Sequence, residues 1–184
     1  AFKAIMLRGQ SNDLSIADYV GFGQQLGELA VDPYVEPPFA DHPQVMGLVR
    51  DAESTAYNFG GDWHSDGSYL EQPGGLTVLW GKHVPTHGGD TLFADMELAW
   101  QTLTPVFREM LDGRRVLHAA TGLGQKVAMR KKGDYLGFDR SQDLERIEHY
   151  HPIKRTHPET GSHSLFVNQA YSVQIEGCSD DESA

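Results

Sequence analysis

Trp63-His64-Ser65-Asp66 sets an imidazole and a carboxylate two positions apart, framed by Gly60-Gly61 on one side and Gly67 on the other. In an extended segment the side chains of residues i and i+2 point the same way, so His64 and Asp66 are expected to present together. A neutral nitrogen and a hard oxygen anion suit Fe(II). Two histidines and one carboxylate on one face of an octahedron leave positions open for an oxidant and a co-substrate. The pair supplies two thirds of such a site, which makes the third ligand the central question.

Outward from the motif, the sequence alternates short strand-like runs with a few helices. Thr77 to Val84 is expected to form a strand with apolar residues on both faces. A turn at Pro85 to Gly89 leads to a second strand from Asp90 to Ala94. Met46 to Val49, Arg115 to Ala120, His149 to Thr156 and His163 to Val167 read as further strands, and Phe2 to Leu7 as a short extended segment. The last two strands flank a hairpin turn at His157 to Ser162. Helices are expected where caps precede helical spacing. Ser15 precedes Ile16, Tyr19, Val20 and Leu26, with Gly27 as the stop; Asp95 precedes Trp100 and Leu103; Thr104-Pro105 precedes Val106 to Leu111, closed by Gly113. Prolines 33, 37, 38 and 43 force a loop between Asp32 and Pro43, a natural place for a cover over a site. Gln125 to Arg146, rich in charge and glycine, reads as surface loop and short helix. This pattern predicts a mainly β fold with helical decoration, a β-sandwich or jelly roll.

Composition narrows the function classes. A chain of 184 residues, 39% hydrophobic, is sized for one domain. The formal charge of -11 argues against a phosphate-backbone partner, which calls for a basic surface. Cys178 is the sole cysteine, so no intrachain disulfide or thiolate-rich cluster is available, in keeping with a reducing compartment. No apolar run approaches the roughly 20 residues that span a bilayer, and a cytoplasmic protein is expected. Both ends look cut: Ser179-Asp180-Asp181-Glu182 has the capping-box pattern of a helix that stops as it starts, and Ala1 is not an initiating methionine.

Three pieces of the chain together resemble the taurine dioxygenase family of Fe(II)- and 2-oxoglutarate-dependent oxygenases. They are Trp63-His64-Ser65-Asp66, then Gly88-Gly89-Asp90-Thr91-Leu92-Phe93, then the hairpin from His151 to Gly161 leading into Leu165-Phe166-Val167-Asn168, in the family's order and with family-like spacing. The resemblance implies a double-stranded β-helix, here incomplete, making residues 1–184 a single partial domain. It implies iron on His64 and Asp66 plus a distal histidine, with Thr91 helping to hold 2-oxoglutarate. The reaction it implies consumes 2-oxoglutarate and O2, hydroxylates a small organic substrate, anionic ones included, and releases succinate and CO2. The distal histidine and the arginine that follows it in the family have no equivalent here. His151 and His157 match hairpin positions of the family that are not ligands. Two protein ligands hold a metal less tightly than three, so the fragment alone is expected to be weakened or inactive.

Other constellations carry less. His83 and His87 have helical spacing, but Pro85 and Gly88 impose a turn. His149 and His151 share a strand face and read as a polar sheet face. Lys126, Arg130, Lys131 and Lys132 form the one basic cluster, a solvated loop or the mouth of a site that attracts an anion. Two rivals to the oxygenase reading stay open: a catalytically incompetent jelly-roll fragment that binds metal or a small acid without turnover, and a cupin-like metal protein. Exposed sheet edges in an incomplete barrel would favour homo-oligomers.

Overall fold

The computed structural model describes residues 3–11, 13–35, 37–49, 60–120 and 147–183. Helix α1 spans Ile16–Gln24, and Ser15 caps it as expected; Asp18 answers back to the Ser15 backbone, completing a capping box that holds the Asp18 carboxyl below its usual range. Helix α2, Met96–Thr102, is capped by Asp95, whose carboxylate accepts from the amides of Glu97 and Leu98. Helix α3, Pro105–Leu111, starts on the Thr104 hydroxyl with proline in the first turn, where its missing N–H costs nothing. All three expected helices form.

The sheets differ from expectation in an instructive way. Strands β1 (Arg115–Ala119), β2 (Glu148–Pro152) and β5 (Ser172–Ile175) make an antiparallel sheet in the order β2-β1-β5. Strands β3 (Lys154–Thr156) and β4 (His163–Leu165) make a separate hairpin, closed by His157 N–H donating to the Ser162 carbonyl. The run expected as one strand from His149 to Thr156 is therefore two strands in two sheets. The break falls at Ile153, 1% exposed, which donates to the Arg114 carbonyl and accepts from Phe166 N–H. One buried side chain at the corner turns the chain between layers.

The strands expected at Met46 to Val49, Thr77 to Val84 and Asp90 to Ala94 do not form. A strand is a relation between two segments, since its N–H and C=O groups must be satisfied by a neighbour. Among the described residues none pairs with these runs, and Leu76, Leu79, Val84, Leu92 and Phe93 stand exposed. Helix α4, Asp180–Ser183, does start at the expected capping box, with the Ser179 N–H donating to Glu182. The segments from Gln125 to Arg146, including the basic cluster, lie outside the described residues.

The core lies where the β2-β1-β5 sheet meets the segment that follows the metal motif. Val116, Leu117, His118, Ala119 and Ala120 are all buried, and Tyr34, Tyr69 and Ala120 form a cluster against which Leu70, Ile147 and Tyr171 pack. The proline-rich loop is anchored here at its start: Asp32 accepts from the Tyr69 hydroxyl and the Tyr34 amide.

Candidate metal centre

His64 and Asp66 converge. The His64 Nε2 lies 3.0 Å from Asp66 Oδ1, with Asp66 56% exposed at the side chain. The motif is not a strand, as the sequence suggested. Trp63 to Ser65 is irregular, and Asp66 begins a turn closed by Ser68 N–H to Ser65 C=O and Leu70 N–H to Gly67 C=O. The two side chains meet because the chain bends at Asp66, and the flanking glycines permit the bend. Gly67 has φ of 59°, and Gly60 has φ of 76° with its Cα against the imidazole, where an added Cβ would sit 3.4 Å from His64 Cε1.

Each of the two facing side chains is oriented by a neighbour. The His64 Nδ1 donates to the Asp62 carbonyl at 2.7 Å, which leaves Nε2 as the nitrogen facing Asp66. The Thr77 hydroxyl donates to Asp66 Oδ2 at 2.7 Å, so Oδ1 is the oxygen turned to His64. The hydrogen bond from Asp66 raises the His64 pKa against the opposing effect of burial, and the same bond lowers that of Asp66. The edge of Tyr171 faces His64 with ring centroids 6.3 Å apart, and Ala170 N–H donates to the Trp63 carbonyl.

This donor set fits a hard divalent cation. Two metal–ligand bonds of about 2.1 Å meeting at a right angle separate their donor atoms by about 3.0 Å, the spacing seen here. Among the described residues, no group of three or more His, Cys, Asp or Glu is placed to hold a metal. Thr91 stands in a fully exposed stretch from Gly81 to Asp95, and no hydrogen bond brings it to the pair. His83 and His87 lie in the same exposed stretch, at bends and not on a helix, in keeping with Pro85 and Gly88 beside them.

The family is now decided. Residues 1–184 match the model of the "Taurine catabolism dioxygenase TauD, TfdA family" throughout. The chain belongs to the TauD/TfdA family. An alpha-ketoglutarate-dependent sulfonate dioxygenase of Saccharomyces cerevisiae is 31% identical over 179 residues, covering 93% of this chain and 41% of that protein. Pentalenolactone F synthase of Streptomyces arenae is 26% identical over 195 residues, covering 99% and 64%. A solved taurine dioxygenase from Burkholderia xenovorans superposes with a TM-score of 0.57 at 25% identity, covering 91% of this chain and 50% of that one. The fold is accordingly the family's jelly roll in part, and the chain spans between 29% and 64% of the length of the first curated relatives it matches.

In this TauD/TfdA family member, sequence reasoning missed several residues that surround the His64–Asp66 pair. Thr77 appeared only as a strand residue, yet it orients the carboxylate. His149 and His151, read as a polar sheet face, donate from their rings to the carbonyls of Tyr69 and Leu70 at 3.1 and 2.9 Å, directly after the motif. His118 went unnoticed, although an imidazole inside Val116-Leu117-His118-Ala119-Ala120 is a polar group in an otherwise apolar strand and signals a buried partner.

Proposed function

We propose that this chain carries the metal-bearing part of an Fe(II)- and 2-oxoglutarate-dependent dioxygenase, with His64 and Asp66 as metal ligands and Thr91 as a contact to 2-oxoglutarate. The observation that carries the reading is the convergence of His64 Nε2 and Asp66 Oδ1 at 3.0 Å in a chain that matches the family from end to end. When bound, iron with 2-oxoglutarate and O2 supplies the oxidising power that hydroxylates a C–H bond, with succinate and CO2 released. The protein's own residues hold and aim. The Asp62 carbonyl fixes the imidazole, the Thr77 hydroxyl fixes the carboxylate, and the Tyr171 edge closes one side of the imidazole. His64 Nε2 and Asp66 Oδ1 would hold the cation, His64 as the neutral imidazole that keeps its Nδ1 proton on the Asp62 carbonyl and has released its Nε2 proton to solvent. The substrate proposed is a small organic anion, a sulfonate or carboxylate, in line with the sulfonate dioxygenase among its relatives. Residues 1–184 are read as one domain that supplies part of a barrel, acting in the cytoplasm and prone to self-association through its unpaired edges. Among the described residues no helix is long and apolar enough to cross a membrane.

A second reading, metal binding without turnover, is favoured by one observation: no third ligand joins the pair among the described residues. Anaerobic titration with Fe(II) and 2-oxoglutarate separates the two. A visible charge-transfer band followed by succinate on admitting O2 supports the oxygenase; metal binding with neither supports the second reading. If His64→Ala bound iron as tightly as the parent, the ligand assignment would be wrong.

A further inference from the structure

The last three residues of the motif's turn, Ser68 to Leu70, are each held by a histidine from one face of the β2-β1 pair. His118 faces Ser68, His149 faces Tyr69 and His151 faces Leu70. The register places them together: His118 is the cross-strand partner of His149, and Val116 that of His151. Ser68 and His118 are both 0% exposed.

The bonds around this pair have a defined direction. Phe166 C=O is only an acceptor, so His118 Nε2 carries the proton and donates to it at 3.3 Å, with the Ser172 hydroxyl at 3.4 Å beside it. That leaves Nδ1 as an acceptor, and the Ser68 hydroxyl donates to it at 2.9 Å. The Asn168 side-chain amide donates in turn to the Ser68 oxygen at 3.2 Å. Every polar atom of the Ser68 side chain is used, and the chain Asn168 to Ser68 to His118 to Phe166 closes inside the core. The Phe166 ring stacks on His118 at 5.1 Å, which fixes the plane of the imidazole.

We infer that Ser68 and His118 are positioning residues for the metal-bearing turn, locking the segment two residues beyond Asp66 onto the sheet so that Asp66 is held opposite His64. This inference rests on the assignment of His64 and Asp66 as ligands. A buried hydroxyl that donates to His118 and accepts from Asn168 is held in one orientation, and the turn from Ser65 to Ser68 carries that constraint back to the carboxylate. Neighbours that orient a ligand typically account for a 10- to 100-fold effect on metal affinity.

The test uses the 184-residue chain as Ser68→Ala, Ser68→Thr and His64→Ala beside the parent. Two readouts are taken: amide hydrogen exchange of the metal-free proteins, and anaerobic titration with Co(II), whose visible spectrum reports ligand geometry. The expected result for Ser68→Ala is faster exchange confined to residues 63–70, with β1 still protected, and Co(II) affinity reduced about 10-fold or more. Ser68→Thr, which keeps the hydroxyl, is expected to restore protection and affinity. Unchanged exchange over 63–70 in Ser68→Ala would overturn the inference, as would Co(II) affinity and spectrum equal to the parent's while His64→Ala binds weakly. Parental Co(II) affinity in His64→Ala refutes the ligand assignment instead, and the metal-free exchange then decides whether Ser68 holds the turn.

Discussion

Lowering the pH from 7 should destabilise this protein through His118 before its carboxylates begin to titrate. Burial drives the His118 pKa down from 6.5 to about 4, with a smaller push from His151 and Arg155, against an upward pull from the Phe166 carbonyl. The groups facing the ring are therefore Ser68, His151, Phe166, Ser172 and, beyond the Phe166 ring, the Arg155 guanidinium. In the unfolded chain His118 takes up a proton near pH 6.5, while the folded chain resists until about pH 4. The unfolded state thus binds more protons across this window, so stability rises with pH within it and is lost as the pH falls. The loss attributable to His118 is about 1 kcal/mol at pH 5.5 and about 3 kcal/mol at pH 4. His151, whose pKa is also lowered by burial, adds in the same direction. Urea unfolding between pH 5 and 7.5, on the parent and on His118→Gln, measures the effect as a difference in slope, with the parent steeper by about 1 kcal/mol per pH unit near pH 5.5. Equal slopes refute the reasoning. So does an NMR titration of the parent that finds the His118 imidazole protonating near pH 6.5, a measurement that stands even if the variant folds poorly.

Three further substitutions probe the site and its support. Thr77→Val removes the hydroxyl that orients Asp66 Oδ2, and Co(II) affinity should fall about 10-fold by titration with no loss of cooperative unfolding. Tyr69→Phe strips Asp32 of a charge-assisted hydrogen bond at 2.9 Å within the core; denaturant unfolding should show a cost of about 2 kcal/mol, and a value near zero would mean water replaces the phenol. Ile153→Ala empties the corner between the two sheets and should cost about 2–5 kcal/mol by the same measurement.

How much of this was readable in the sequence depended on whether a feature is local. Ser15, Asp95 and Thr104 announce helix starts because a cap acts within three residues, and each helix formed where its cap placed it. The turn at His157 to Ser162 is local for the same reason. Thr77 to Val84 and Asp90 to Ala94 carry the strand pattern, but pattern states only what a segment does when paired. With no partner among the described residues, the apolar side chains of Leu79 and Phe93 remain in water. The opposite error occurred at Ser172–Ile175, where the polar residues Ser172 and Gln174 alternate with the apolar Val173 and Ile175 over only four positions, a run short enough to be passed over, and yet it is the third strand of the main sheet, because β1 supplies its ladder across 50 or more residues. The approach of His64 to Asp66 was legible in the sequence, but the local geometry that produces it was not. Side chains at i and i+2 do converge, through a bend at Asp66 that Gly60 and Gly67 allow, not through strand alternation.

The non-local features were also the ones that position the site, and their chemistry explains why histidine fills them. The segment after Asp66 offers a hydroxyl donor at Ser68 and carbonyl acceptors at Tyr69 and Leu70, facing a buried sheet. Arginine or lysine would meet the carbonyls but has no acceptor for the Ser68 proton, and would set a permanent positive charge in the core beside the motif. A neutral imidazole accepts on one edge and donates on the other while its flat ring packs against Phe166. Among the described residues it leaves only His64 and the Thr77 hydroxyl against the Asp66 carboxylate, so that a cation bound there would meet an anion that none of these residues neutralises with a fixed positive charge. A His118→Arg substitution would therefore be expected to harm metal binding by charge as well as by fit, whereas Ser68→Ala acts by fit alone. Repeating the Co(II) titration at two salt concentrations tells them apart, because only the charged variant has a long-range repulsion for salt to screen.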